Sequence, residues 1–379
     1  MTETLKIWPV QSSKDQKKFL ALPWQIYQGD ENWVPPIRSH QREMVNFKPH
    51  PFYQDAEIQT FLAARGDKIV GRIAALVNHA HNRQFDEQRG FFGFFECEDD
   101  QEAATGLFEA AAKWLADKGM DAMRGPVNPS LNYECGLLVE GFDCPPTFMM
   151  TYNRPYYPAL VESFGLAKVE DLYAYDVELS MLDNIDPKLK FVVEEVARRF
   201  EVETRPLSRK NFMSDVRLFL DIYNKSLVNT WGYVPLSEAE IDHQSKQLRM
   251  LVTPEMTSIA SIKGKPIGAC FGLLDYNPLI KKIDGKLFPF GWLRLLMGRR
   301  HLKRARLLST NVLPEYQRWG LGVVTIYRIL PDALKFGLTE GELSWVLESN
   351  QLSRASIERG GAQITKTYRL YDRDLADFK

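Results

Sequence analysis

A chain that repeats itself folds as two similar units, and this chain repeats its most strongly patterned segment. ALVESFGLAKVEDLYAYDVEL (159–179) aligns without gaps on ASIERGGAQITKTYRLYDRDL (355–375), an offset of 196 residues. Ala159, Glu162, Gly165, Tyr175, Asp176 and Leu179 recur as Ala355, Glu358, Gly361, Tyr371, Asp372 and Leu375. Both copies read as a helix, a glycine stop and an alternating strand. Upstream, GDKIVGRIAALVN (66–78) matches GKPIGACFGLLDYN (264–277), setting Gly71 over Gly268 in the same order and at nearly the same offset. Two matches in one order point to duplication.

The flanking patterns agree. AEIQTFLAAR, KIVGRIAALVN and GFFGFFECE read as strands, QEAATGLFEAAAKWLADKG as an amphipathic helix, and DAMRG as a further strand. In the second half, Asp186-Pro187 reads as an N-cap and first-turn proline, and Ser237 with Glu240 as a capping box. MTSIASIKG, KPIGACFGLLD, RARLLSTNVLP and GELSWVLES read as strands, with a helix from about Gly322. Hairpins first, then helix and strand, predict an α+β fold: two mixed sheets with flanking helices, one in 1–180 and one in 181–379, joined near 180–186.

At 379 residues the chain is long enough for two cores, and 45% apolar with 26% charged residues is a folded composition. MTETLKIWPV lacks the basic-then-apolar order of a secretory signal, and no window gives 18 unbroken apolar residues, so the expectation is a cytoplasmic chain. Cys97, Cys135, Cys144 and Cys270 form no metal-binding spacing and read as reduced structural thiols. The net charge of −1 hides an asymmetry: 1–180 holds 17 basic and 26 acidic residues, 181–379 holds 31 and 23. A polyanionic ligand is therefore expected on the second half.

The local motif with most chemical content is NVLPEYQRWGLGVVTIYRIL (311–330). A strand ends at Leu313-Pro314, and Gln317-x-x-Gly320-x-Gly322 runs into an apolar-periodic helix. Glycines at such a turn let backbone N–H groups approach an anion, and the helix N-terminus adds partial positive charge. Arg318 adds a full charge, and a pyrophosphate suits the site. The turn lacks both the P-loop ending and the GxGxxG spacing. With its preceding strand, its following helix, and the later Glu348-Ser349-Asn350 before a second helix and Gly361, the segment resembles the GNAT (Gcn5-related N-acetyltransferase) superfamily. The chain as a whole resembles tandem GNAT proteins of bacteria and is similar, more loosely, to bacterial ceramide synthases.

That resemblance implies a coenzyme A pyrophosphate cradled by Gln317, Arg318, Trp319, Gly320, Leu321, Gly322 and Val323, with Asn350 helping to position it. It implies acetyl-CoA or a longer acyl-CoA as donor and an amine as acceptor. Backbone amides around Asn311 and Leu313 are candidates to polarise the thioester carbonyl. The first half departs from the pattern: its turn reads ECEDDQEAATG, five acids without paired glycines, where a pyrophosphate is repelled. The tyrosine of many family members falls on Ile357 here, so that acid is absent. Glu348 as base and Tyr368 as acid are the candidates, against readings as an exposed strand-end glutamate and a core tyrosine. Turnover by positioning alone, and a non-catalytic acyl-CoA-binding protein, stay open beside them.

Trp231 and Tyr233, with Asp275 and Asn277, are candidate acceptor contacts. Asn128, Asn132 and Glu134 in GPVNPSLNYECG could reach across the interface of the halves, but read first as a hydrogen-bonded loop. His79 and His81 read as surface residues rather than as metal ligands. The segment 276–305 is long for a hairpin connection. No acid lies between Asp284 and Glu315, and apolar Phe288–Met297 precedes Arg299, Arg300, Lys303, Arg304 and Arg306. At 100° per residue the charges do not segregate from the apolar face, so a single amphipathic helix is not expected. An interdomain plug against the acidic half, a contact with coenzyme phosphates and a peripheral membrane contact through 288–306 all fit, the last suiting a lipid N-acyltransferase of ceramide-synthase type with a long-chain donor. No nucleic acid is expected.

Overall fold

The computed structural model describes residues 3–180 and 187–378, without the side chains of 187–189, 192 and 318. The expected joint at 181–186, the Asp186 cap and the Arg318 side chain therefore lie outside the described residues.

In the first half, β1 (Leu5–Pro9) precedes α1 (Ser13–Ile26) and α2 (Arg38–Met44). Then come β2 (Ala56–Arg65), β3 (Lys68–Asn78), α3 (His79–Phe85), β4 (Arg89–Cys97), α4 (Gln101–Asp117) and β5 (Ala122–Gly125). A ribbon of β6 (Val127–Asn128) and β7 (Glu134–Cys135) leads to β8 (Leu137–Glu140), α5 (Tyr157–Ser163) and β9 (Ala167–Glu178). The second half runs α6 (Pro187–Arg199), β10 (Val202–Arg205), α7 (Phe212–Ser226), α8 (Glu238–Leu251), β11 (Thr257–Ile262) and β12 (Lys265–Leu274). It continues with α9 (Asn277–Lys282), α10 (Gly291–Gly298), β13 (Arg304–Val312), α11 (Leu321–Phe336), β14 (Glu340–Leu347), α12 (Gln351–Arg359) and β15 (Gln363–Asp374). The Ser237–Glu240 capping box forms as read, with both reciprocal bonds present.

Instead of one sheet per half, the strands form one sheet of 13, ordered β1-β2-β3-β4-β5-β15-β9-β14-β13-β12-β11-β10, with β8 added to β15. The halves have exchanged their last strands. β15 closes the first half against β5, β9 closes the second against β14, and the two pair antiparallel at the centre. Pairing thus crosses the expected boundary near residue 180.

The repeat explains the exchange. β9 and β15 bury their residues in the same order over all twelve positions. Tyr371 donates to Glu162 at 3.0 Å while Tyr175 donates to Glu358 at 2.8 Å, so each repeated tyrosine bonds the repeated glutamate of the other half. Asp372 pairs with Arg89, which opens β4, and Asp176 pairs with Arg304, which opens β13, both at 2.5 Å. The first half packs Phe92, Phe95, Leu107, Phe108 and Leu115 around α4; the second gathers Phe219, Phe271, Leu273 and Ile329 around α7 and α11.

Candidate active site

Parallel strands β13 and β14 pair from Arg304↔Glu340 to Leu307↔Leu343 and then part. On the other side of β13 the register against β12 skips Leu308, a bulge that turns the strand at the point where it loses β14. The Leu313 amide donates to the Ile267 carbonyl at 2.9 Å. It is therefore not the free donor expected at that position. Alternation along the strand aims the Thr310 and Val312 amides the other way, toward the edge that β14 has vacated.

That edge leads into the Gln317–Gly322 turn. Gly320 sits at φ +74°, and a Cβ placed on it meets nothing within 4 Å. A Cβ on Gly322 would lie 3.5 Å from the Thr310 methyl group, an ordinary contact, so the left-handed Gly320 is the glycine that this turn requires. No side chain caps α11, whose first turn faces open space at Gly320. Leu321 is buried against Ala260, Ile267 and Val312, which anchors the helix start, while the half-buried Val323 closes the first turn onto the Gly320 carbonyl. Gln317 staples the turn rather than facing outward: its amide donates to the Ser226 and Val312 carbonyls at 3.2 and 3.1 Å. Trp319 stacks on Phe200 at 4.3 Å. Asn311 is buried, accepting from Ser226 at 3.0 Å and donating to Ser309 at 2.6 Å, so its side chain ties β13 to α7. Asn350 caps α12 by accepting from the Ser353 amide.

The same places in the first half are filled by the chain itself. β4 and β5 part after Phe91↔Arg124, and β6 enters the gap. A Cβ on Gly93 would collide with the Val127 carbonyl at 1.7 Å, and the Phe94 amide donates to Asn128 at 2.6 Å. At the helix start Asp100 caps α4 through the Ala103 amide at 3.0 Å and is held by Arg65 at 2.5 Å. An intramolecular carboxylate thus occupies the position where the second half leaves an anion cradle open.

The expected catalytic side chains are placed elsewhere. Glu348 pairs with Lys168 at 2.8 Å and accepts from Tyr173, and that lysine holds its carboxyl below the usual range. Such a carboxylate is a poor base. Tyr368 is fully buried between Leu172 and Leu138, and burial pushes its hydroxyl well above the ordinary range, so it is sealed from any leaving group. The acceptor candidates are spent on structure. Tyr233 is buried and its hydroxyl is bonded to Asn224, while Trp231 lies under the Arg124 guanidinium of the first half at 4.7 Å. Asp275 accepts from the Phe148 and Asn277 amides, and Asn277 donates to the Pro146 carbonyl, which fastens 146–148 across the interface. His79 and His81 begin α3 and bind Glu57 and Glu87.

A further titratable group comes from the 125–136 loop, which meets the second half. Asn132 donates to the Val234 carbonyl at 2.7 Å and Tyr133 to Glu240 at 2.8 Å, so the loop is docked on the α7–α8 connection and on α8. The side chain of Glu134, next in line, has no hydrogen-bond partner among the described residues. Protein surrounds it, yet the residue keeps partial exposure, and burial pushes its carboxyl up to about 7. Its balancing charge is Arg306 of β13, a buried guanidinium that donates to Ser344 Oγ at 2.7 Å and to the Phe148 and Met149 carbonyls at 2.9 and 2.8 Å. Tyr223 of α7 lies beside Cys135, and burial raises its hydroxyl far above neutrality. The 3.6 and 2.0 periodicities carry no signal for such a polar loop residue; its only mark in the sequence is an acid inside an otherwise uncharged turn segment.

No protein-family model matches the chain. Protein YghO of Escherichia coli (strain K12) is 34% identical over 371 residues, covering 96% of this chain and 94% of the relative. A bacterial ceramide synthase of Caulobacter vibrioides (strain NA1000 / CB15N) is 32% identical over 380 residues, covering 98% of each. Among solved structures, a tandem GNAT protein from the clavulanic acid biosynthesis pathway superposes with a TM-score of 0.57 at 10% identity, over 98% of this chain and 99% of the other. A GCN5-related N-acetyltransferase from Sphaerobacter thermophilus gives 0.53 at 11%, over 98% and 96%. At such identities the likeness is one of fold.

Proposed function

We propose that this chain, which belongs to one family with Escherichia coli YghO and the Caulobacter vibrioides bacterial ceramide synthase and has the fold of tandem GNAT proteins, is an acyl-CoA-dependent N-acyltransferase with one working site, in its second half. The observation that carries the reading is the contrast between the two helix starts: α4 is closed by Asp100, α11 is open at Gly320. The residues present fit the donor. The Gly320–Gly322 backbone and the start of α11 would hold its pyrophosphate, and the Thr310 and Val312 amides its extended amide arm. Bound there, the donor supplies an acyl group activated as a thioester.

The chain's own residues supply the proton handling. An amine acceptor is protonated near neutral pH and attacks only after losing that proton. Glu134, titrating near 7, is matched to take it, and Arg306 steadies the carboxylate that remains. Tyr223, kept protonated by burial, is the candidate to protonate the departing thiolate. Release of free thiol in the presence of a panel of amines tests the reading. Amine-dependent release by the wild type, lost in Gly320→Glu, is the expected result; binding without release would reduce the protein to an acyl-CoA sensor.

The relative named bacterial ceramide synthase favours a narrower second reading, a long-chain donor and a lipid amine. Palmitoyl-CoA with a sphingoid base, run against acetyl-CoA with a polyamine, separates the two.

A further inference from the structure

The enlarged connection between β12 and β13 is anchored at its base and bare at its tip. Ile280, Ile283, Leu295 and Leu302 are buried. Asp284 receives hydrogen bonds from Trp24 at 2.5 Å and Arg38 at 2.6 Å, and the Arg38 amide donates to the Gly285 carbonyl. Above this base, five of the twelve exposed large apolar side chains among the described residues fall within positions 288–297. Phe288 is 80% exposed, Phe290 69% and Met297 68%. The other seven are scattered along the chain, as single surface apolars normally are.

The charges around the tip have one sign. Lys282, Arg294 and Arg300 are exposed and have no ion-pair partner among the described residues, and 285–314 contains no acid. The acidic first half does not neutralise them. At the base of the insertion the ion pair to that half runs the other way, with the acid, Asp284, on the insertion and the arginine, Arg38, on the first half; the basic residue that does meet a first-half acid, Arg304 on Asp176, lies at the start of β13, below the tip. The interdomain-plug reading therefore describes the base of the insertion and leaves its tip unexplained.

We propose that this tip docks on an anionic lipid bilayer, with Phe288, Phe290 and Met297 entering the headgroup region and Lys282, Arg294 and Arg300 meeting lipid phosphates. A ring with most of its surface standing free lines no groove; it needs a partner that can be penetrated, and a bilayer requires no preformed pocket. A second copy is disfavoured, because a two-fold contact through this patch would set the same arginines against each other. No helix among the described residues is long and apolar enough to cross a membrane, so the contact is peripheral. The tip lies at the opposite end of β13 from the Gln317–Gly322 turn, about 26 Å away along the strand.

The full chain is floated, without acyl-CoA or amine, on vesicles of phosphatidylcholine alone and of phosphatidylcholine with phosphatidylglycerol. The anionic vesicles should bind it roughly tenfold more strongly at low salt, with a blue shift of tryptophan emission from Trp292. Phe288→Ser/Phe290→Ser should lower binding at low and high salt alike, and Arg294→Glu/Arg300→Glu should abolish the preference for phosphatidylglycerol. All four side chains are exposed, so the fold is not at stake. Wild-type protein that fails to float, or variants that float equally well, would overturn the proposal. A concentration-dependent mass increase that the serine variant removes would overturn it in favour of self-association. Because donor and acceptor are absent from the assay, its result is independent of the acyl-transfer reading.

Discussion

Replacing Glu134 by glutamine separates chemistry from folding, because the two should move in opposite directions. Burial lifts the carboxyl from an ordinary value of 4.5 to about 7. A folded-state value above the unfolded one means that the fold favours the protonated form. The associated stability is complete below about pH 4.5 and is lost as pH rises through about 7. At ~1.4 kcal/mol per unit the gap is worth at most about 3.5 kcal/mol, and the partial exposure of Glu134 reduces that to about 2. Glutamine stays neutral and preserves the shape. Urea unfolding should therefore find Glu134→Gln about 2 kcal/mol more stable than wild type at pH 8, with the two converging near pH 4. Activity should do the reverse. The wild-type profile of kcat/KM should rise with pH through about 7, and the variant should lose roughly 10²- to 10⁴-fold and that rising limb with it. A variant that keeps the wild-type pH profile, or is less stable at pH 8, would refute the assignment of Glu134 as base.

Four further outcomes follow from the same geometry. Arg304→Ala removes one of two guanidinium partners of Glu342, which is 1% exposed and keeps Arg306, Thr147 and Ser344, and also the Arg304 pair of Asp176, so chemical denaturation should show a loss of about 2–3 kcal/mol. Tyr175→Phe and Tyr371→Phe should each lose about 1 kcal/mol, and the double variant should show the sum, since the two bonds lie on separate strand ends. Gly320→Glu should remove acyl-CoA binding while lowering stability by only about 1–2 kcal/mol, the strain of a left-handed residue in open space. Asn128→Ala should lower stability by about 1–2 kcal/mol by orphaning the Phe94 amide, without creating a second coenzyme site.

Much of this architecture is legible in the sequence because local pattern fixes it. The strands 56–65, 68–78 and 265–274 are apolar runs bounded by turns, and the Ser237 capping box is a four-residue signal; each forms where read. The strand exchange is not local. β9 and β15 carry the same burial pattern, so either would satisfy either half, and the choice rests on pairings such as Tyr371 with Glu162 about 200 residues apart. The turn before α11 is legible through Gly320, whose left-handed backbone is a property that the residue type itself signals. Glu348 and Tyr368 were misplaced because strand parity gives a face but not a partner: Lys168 and the β8–β9 core come from the other half. The 276–305 segment resisted a single-helix reading for a reason now visible. It forms two short helices, α9 and α10, whose apolar residues divide between a buried base and an exposed tip.

The central claim is that only the second half binds the donor, at the open start of α11. Calorimetric titration of the full chain with acetyl-CoA and with palmitoyl-CoA measures it directly. One site per chain, absent in Gly320→Glu and untouched by Asp100→Asn, is the expected result. Two sites per chain, or undiminished binding in Gly320→Glu, would contradict it.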